Sequence, residues 1–386
     1  VTRTALIAGA GIGGLATGIV LQRAGWHVRI FERASTPREV GFALNLAANA
    51  MAALEELGLA SRVAAGGHRV QWAEIRTGTG RTLKRVHLPH AIDQARAIVA
   101  TRPVLHGALL EAVGETPLVL SSAVIGYAVE GDAVTVHLAD GRRESGELLV
   151  GADGVASVVR RQLHPAEGPP RASGYHAVRG VATGAAGLLH GVSAATYLGP
   201  GIEASLAQAG SGSVYWYMSV LTRELPGDRA PLAVAAHFIG RLDETFRAVV
   251  AATRPEDSRL DALFDRDPMS SWGTGPVTLL GDAAHPMLPH TGQGAAQAIE
   301  DAIALGLALE RGPDIPSALR RYERVRSART GRLIARGRRA AWATTTHHPV
   351  VSALRTSLIK AVPASRMARM FMLAGEKDPH RELRPR

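Results

Sequence analysis

The chain opens on a short apolar run, Thr4 to Ala8, which stops at a glycine-rich turn from Gly9 to Gly14. An apolar run of that length, bounded by glycine, reads as a buried strand. Leu15 to Gly25 then reads as a helix, and Trp26 to Arg33 as a second strand carrying Glu32 near its end. Strand, turn, helix and strand in that order begin a βαβ unit. Asn49 to Leu57 predicts a helix stopped at Gly58, and alternation from Val70 to Val86 predicts a hairpin. A helix is expected after Arg102, with Pro103 in its first turn. Strands around residues 118–154 turn at Asp140-Gly141. From Arg171 to Trp272 the strand-like segments HAVRGVA, AATYLG and SVYWYMSV predict a separate sheet, followed by one helix from His237 to Ala252. The apolar segment PVTLLGD then returns to the first sheet. A long alanine-rich helix from Gly294 to Glu310 ends at Gly312-Pro313.

This pattern predicts an α/β protein with a discontinuous nucleotide-binding domain at 1–69, 99–168 and 273–340. A β-rich domain at 70–98 and 169–272 is inserted into it, and helices occupy 341–386. The length of 386 residues suits two domains. A 46% hydrophobic and 20% charged composition excludes a disordered chain. The absence of cysteine excludes disulfide frameworks, cysteine nucleophiles and cysteine-held metals. No apolar run approaches the roughly 18–20 residues of a membrane span, and the first residues lack a signal-peptide pattern. A cytoplasmic protein without membrane attachment is the expectation.

The net charge of +10 comes almost wholly from arginine, since only Lys84, Lys360 and Lys377 are lysines. The densest stretch, Arg320 to Arg339, predicts a helix with Leu319, Tyr322, Val325, Leu333 and Ile334 on its apolar side. Its arginines read as a solvated face, and no nucleic-acid-binding signature accompanies them. The fifteen histidines include no metal-ligand spacing, so no metal is expected.

Gly9-Ala10-Gly11-Ile12-Gly13-Gly14 matches G-x-G-x-x-G between a strand and a helix. There the glycines permit a tight turn, close backbone approach to a pyrophosphate and close helix–strand packing. Glu32 stands about twenty residues on, where an acid accepts hydrogen bonds from ribose hydroxyls. FAD and NAD both remain open on this motif alone.

Two later motifs add a resemblance. Gly151-Ala152-Asp153-Gly154 leads into D-G-x-x-S-x-x-R, ending at Arg160. Gly281-Asp282-Ala283-Ala284-His285-Pro286 precedes Pro289 and Gly292-Gln293-Gly294. With the N-terminal turn, these resemble the three ordered signatures of the single-component class A flavoprotein monooxygenases, the p-hydroxybenzoate hydroxylase-like family. The resemblance spans about residues 2–345 and is nearest to compact salicylate-, hydroxybenzoate- and urate-hydroxylase-like members. It implies a Rossmann-like FAD-binding domain with an inserted β-sheet substrate domain. FAD would be bound by Gly9, Gly11, Gly13, Gly14, Glu32, Arg33, Arg102, Asp153, Asp282, Pro289, Gly292 and Gly294. A transiently docked NADH or NADPH would act as co-substrate, because no second dinucleotide turn is present. The implied activity is hydroxylation of a small aromatic or heteroaromatic compound with O2, through a C4a-hydroperoxyflavin.

Period two along Ser213 to Ser219 places Tyr215, Tyr217 and Ser219 on one face and Trp216 and Met218 on the other. Tyr215 and Tyr217, with Arg179 on a preceding strand and His285 beside the flavin, are the candidate substrate residues. No catalytic acid or base stands out. An epoxidase or oxidase on the same scaffold is the alternative within the class. An NAD-dependent dehydrogenase or a basic nucleic-acid binder are the alternatives outside it. A monomer and a homodimer both fit the sequence.

Overall fold

The computed structural model describes residues 3–37, 42–91, 97–114, 118–210, 212–372, 380 and 382–383. A five-stranded parallel sheet runs in the order Val277–Leu279, Leu148–Gly151, Thr4–Ala8, His27–Phe31 and Leu118–Val119. Its central strand is apolar and fully buried from Ala5 to Ala8, as a strand covered on both faces must be. Helices Ile12–Arg23, Arg102–Val113 and Gly294–Arg311 pack into the same core.

A second sheet has seven strands, ordered Ser258–Asp265, Arg171–Ala182, Ser213–Leu221, Ile202–Ala209, Ala194–Gly199, Trp72–Thr77 and Thr82–His87. Its neighbours are antiparallel except Ala194–Gly199 against Trp72–Thr77, which is parallel. One face carries Val178, Trp216 and Met218 and is sealed by Phe238 and Phe246 from two helices. The indole of Trp216 donates to Thr253 at 2.8 Å, so its one polar atom is satisfied. The other face looks toward the parallel sheet.

Three local expectations change. The single helix from His237 to Ala252 is two, Pro231–Phe238 and Glu244–Ala251. Asp243 breaks the run by capping the second, accepting from the Phe246 amide at 2.9 Å. The strand Ser258–Asp265 is an addition at the sheet edge; its charged residues Arg259, Asp261 and Asp265 break up Leu260, Ala262 and Phe264, so that no long apolar run marks it as a strand in the sequence. The arginine-rich segment belongs to the helix Ile315–Thr344, but Arg326 within it is fully buried. It is therefore more than a solvated face.

Helices Pro349–Ala361 and Ala364–Met372 pack against the outer hairpin strand. Lys84 Nζ donates to the Lys360 carbonyl at 2.7 Å. No helix among the described residues is long and apolar enough to cross a membrane.

Candidate flavin and substrate site

A cavity of about 1340 Å³ lies between the carboxyl ends of the parallel strands and the open face of the seven-stranded sheet. Ligands of open α/β sheets bind at that end, where loops leave adjacent strands in different directions. Three such loops, beginning at Gly9, Ala152 and Leu280, line it here.

The first loop is shaped by steric closeness. Gly9 has φ +99°, and a Cβ on it would stand 2.5 Å from the Ala152 carbonyl oxygen. A Cβ on Gly14 would overlap the Gly9 carbonyl oxygen. Only glycine allows this turn to lie so tightly under the helix Ile12–Arg23. Glu32 Oε2 accepts from the Ala10 amide at 2.9 Å and Oε1 from the Ala34 amide at 2.9 Å. A carboxylate retains further acceptor capacity after two such bonds. Arg33 is exposed at the cavity wall.

The second loop is largely structural. Asp153 Oδ2 accepts from the Val158 amide at 2.7 Å, and Ser157 Oγ accepts from Arg160 N at 2.9 Å. Both cap the helix Val158–Leu163. Burial raises the Asp153 pKa, and its buried Oδ1 has no hydrogen-bond partner among the described residues. Arg160 braces the third loop, donating to the Ala283 and Ala284 carbonyls at 2.8 and 2.6 Å while pairing with Glu167.

Asp282, in that third loop, is exposed to the cavity and close to Arg102 at the start of helix Arg102–Val113. Its position deep in the protein raises its pKa, and the charges of His285 and Arg102 oppose that rise. The turn Pro289–Thr291 leads to Gly292, at φ +63°, and Gln293 precedes the helix Gly294–Arg311. The unpaired amides of that first turn are positive-end donors facing the cavity. Pro289, Gly292 and Gly294 all line it.

Beneath these loops lies a buried ionic network. Arg326 Nε donates to Asp301 Oδ1 at 2.6 Å and Nη1 to Glu300 Oε2 at 2.8 Å. Asp301 Oδ2 in turn meets His285 Nε2 at 2.5 Å and the Gly281 amide at 3.0 Å. Glu300 Oε1 accepts from Asn49 at 2.7 Å, and Asn49 also donates to Gln293 at 2.9 Å. One arginine thus fixes the loop containing Asp282 and the turn before Gly294. This corrects the expectation for His285: its ring is 2% exposed, bonded to Asp301, and absent from the cavity wall.

The opposite wall is the open sheet face. Cross-strand register lines up Arg259, Arg179, Tyr217, Ser205 and Thr196 on one rung. The next rung holds Asp261, Ala177, Ser219, Glu203 and Leu198. Tyr215 and Tyr217 line the cavity, while Trp216 and Met218 lie in the core behind. Arg179 sits 6.0 Å from the Tyr217 ring centre and has no ion-pair partner among the described residues. Burial pushes the Tyr215 phenol up to about 12 and Tyr217 higher still. Both are neutral donors near pH 7.

His290 stands beside them, edge-on to Tyr175 and Tyr217, with Nε2 at 2.9 Å from Ser219 Oγ. Burial lowers its pKa to about 4, so the ring is neutral. His290 occupies the place expected for His285. Glu203 lines the same wall and carried no sequence signal beyond being a lone acid in the apolar alternation of IEASLAQA.

The groups around the cleft fit FAD. A turn that Gly9 and Gly14 keep tight, backbone on backbone, faces one end, while Asp282 and the helix start at Gly294 face the other. Residues 2–336 match the family model described as an FAD binding domain. The chain is 38% identical over 336 residues to aurachin C monooxygenase/isomerase of Stigmatella aurantiaca, covering 86% of this chain and 87% of that protein. It is 35% identical over 350 residues to 3-hydroxybenzoate 6-hydroxylase 1 of Aquipseudomonas alcaligenes, covering 85% and 86%. The solved structure of Klebsiella pneumoniae HpxO with FAD and uric acid matches with TM-score 0.89 and 25% identity, over 96% of each chain. The chain belongs to the FAD-binding-domain family of flavin-dependent monooxygenases, with FAD as its cofactor.

Proposed function

We propose that this monooxygenase hydroxylates a planar aromatic or heteroaromatic small molecule, drawing electrons from NADH or NADPH. The observation that carries the reading is the open sheet face, where Tyr215, Tyr217 and an unpaired Arg179 face the flavin loops across one cavity. Aromatic walls hold a flat ring by stacking, and buried phenols and a guanidinium orient its polar substituents. FAD, when bound, supplies the activation of O2 for insertion of one oxygen atom. The chain supplies position, a site screened from water and fixed electrostatics. Gly9, Gly11, Gly13 and Gly14 would let the backbone meet the pyrophosphate, and Glu32 and Arg33 would hold the adenosine half. Asp282, with Arg102 beside it, would accept from a hydroxyl of the flavin's ribityl chain. The amides at Gly292 and Gly294 would stabilise negative charge on the flavin ring, as a helix N-terminus does. The hydroxybenzoate and urate enzymes among the similar proteins support a ring substrate.

Asp282→Ala is expected to weaken FAD binding about ten- to hundredfold, the loss of a charge-assisted hydrogen bond of about 1.5–3 kcal/mol. Titration of flavin-stripped protein with FAD reads this directly. An unchanged dissociation constant would leave Asp282 with no cofactor role.

Salicylate-, hydroxybenzoate-, hydroxynicotinate- and urate-like compounds are expected to accelerate NAD(P)H oxidation and to yield products one oxygen heavier. Arg179→Glu is expected to weaken a carboxylated ring about ten- to hundredfold and to spare a neutral one. Equal loss for both would assign Arg179 a structural role. Oxygenation confined to non-aromatic alkenes or aliphatic amines would overturn the ring-hydroxylase reading.

A further inference from the structure

Glu203 is a carboxyl with an unusual situation. It projects from strand Ile202–Ala209 onto the cavity face of the seven-stranded sheet, beside Ser219 on one neighbour strand and Leu198 on the other. The residue is only 8% exposed, yet its buried Oε2 has no hydrogen-bond partner among the described residues. Its cross-strand neighbour Leu198 belongs to an apolar cluster with Met367 and Ile359, all three of which line the cavity. Buried carboxylates are rarely left half-satisfied, because each unpaired polar atom costs free energy. A persistent exception calls for a ligand group that completes it.

The groups packed around Glu203 define what that ligand group is. Burial pushes the carboxyl up to about 7, against the Thr344 hydroxyl and the charge of Arg355, which hold it down. Arg355 forms no ion pair with it among the described residues; its Nη1 caps the end of helix Ile315–Thr344 at the Ala343 and Thr344 carbonyls, 2.8 and 3.0 Å away. The Tyr217 phenol is neutral, as is His290, which is already engaged with Ser219. The Glu203 carboxyl is therefore an under-satisfied acceptor on the cavity wall. It suits an N–H or O–H donor and repels an anion.

We propose that Glu203 is a specificity-determining residue that selects ring substrates presenting an N–H or O–H donor to it, two strands across the sheet from Arg179. The inference rests on the ring-hydroxylase reading for its ligand class, but not on the role of Arg179. A site built to bond a donor rejects an analogue lacking it far more strongly than an apolar pocket rejects a missing methyl group.

The test uses indole and benzothiophene, flat bicycles of similar shape in which sulfur replaces the N–H. Each is titrated into the FAD-loaded protein and followed by the change in flavin absorbance. The wild type is expected to bind indole at least about tenfold more tightly, the scale of a hydrogen bond to a charged group. Glu203→Leu is expected to abolish that preference, and Glu203→Gln, which keeps an acceptor oxygen, to retain part of it. The wild-type preference should also grow between about pH 6 and about pH 8, as the carboxyl ionises; His290 titrates well below this window and Arg355 stays charged. Glu203→Gln should lose that pH dependence.

Thermal unfolding separates recognition from structure. Leucine at this position removes a half-satisfied buried carboxyl, so the variant is expected to be as stable as the wild type or more so. Wild-type protein that binds the two ligands alike, or binds neither, overturns the proposal. So does a preference that survives in Glu203→Leu. A preserved indole preference in a protein whose NAD(P)H oxidation no aromatic accelerates would instead defeat the hydroxylase reading and leave this one standing.

Discussion

Arg326→Met is expected to destabilise the protein by about 3–5 kcal/mol, the usual result of removing one partner from a buried ion pair. Arg326 is 0% exposed and holds Asp301 and Glu300, both of which are also buried. Methionine fills much of the volume but leaves two carboxylates facing each other's field with reduced compensation. His285 and Arg329 remain, so the loss is large without being the whole network. Because Asp301 also holds the Gly281 amide, FAD affinity should fall with stability. Arg329→Met, which removes contacts to Glu300 and Gln297 but leaves Arg326 holding both carboxylates, should cost clearly less. Burial would raise both carboxyls, but Arg326 and the other facing groups outweigh it and hold them below the usual carboxylate range. Their contribution is therefore present at neutral pH and lost as pH falls through the folded-state values. The gap between wild type and variant should narrow in acid. Denaturant midpoints across pH read both effects, and an unchanged midpoint at neutral pH would contradict the account.

Gly14→Val is expected to abolish detectable FAD retention. Even the first carbon of a side chain at Gly14 would overlap the Gly9 carbonyl oxygen, so either the helix Ile12–Arg23 or the turn must move. Gly14→Ala is the milder case, with overpacking of about 1–3 kcal/mol. Since the displaced backbone is the turn that meets the pyrophosphate, that cost should appear mainly as FAD affinity lowered about five- to hundredfold. Valine adds a branch at the same point and leaves no tolerable arrangement. FAD titration of the flavin-stripped variants, beside circular dichroism of the same samples, separates lost binding from lost folding. Full FAD occupancy in Gly14→Val would show that the turn is not the cofactor's cradle.

The flavin loops were legible in the sequence because each depends on local backbone chemistry. Gly9 and Gly14 declare a turn that no side chain permits, and the strand before them is continuously apolar. The two faces of Ser213–Leu221 were legible for the same reason, since period two alone separates Tyr215 and Tyr217 from Trp216 and Met218. What was hidden depends on distant partners. Arg326 looks like any arginine of a charged helix until Glu300 and Asp301 on another helix enclose it. His285 and His290 sit in one short segment, and only the three-dimensional path turns the first to Asp301 and the second to the cavity. Glu203 gains its meaning from burial and from what fails to reach it, which no local pattern encodes.

The central claim is oxygen insertion into a ring held between the flavin loops and the tyrosine face. It is tested most directly by single-turnover reaction of the FAD-loaded, NAD(P)H-reduced protein with an accepted aromatic under isotopically heavy O2. The product mass is then compared with that formed in heavy water under ordinary O2. The account predicts one heavy oxygen atom in the aromatic product from O2 and none from water. Label arriving from water, or an unchanged aromatic while the reduced flavin is oxidised for every ring compound tried, would contradict it.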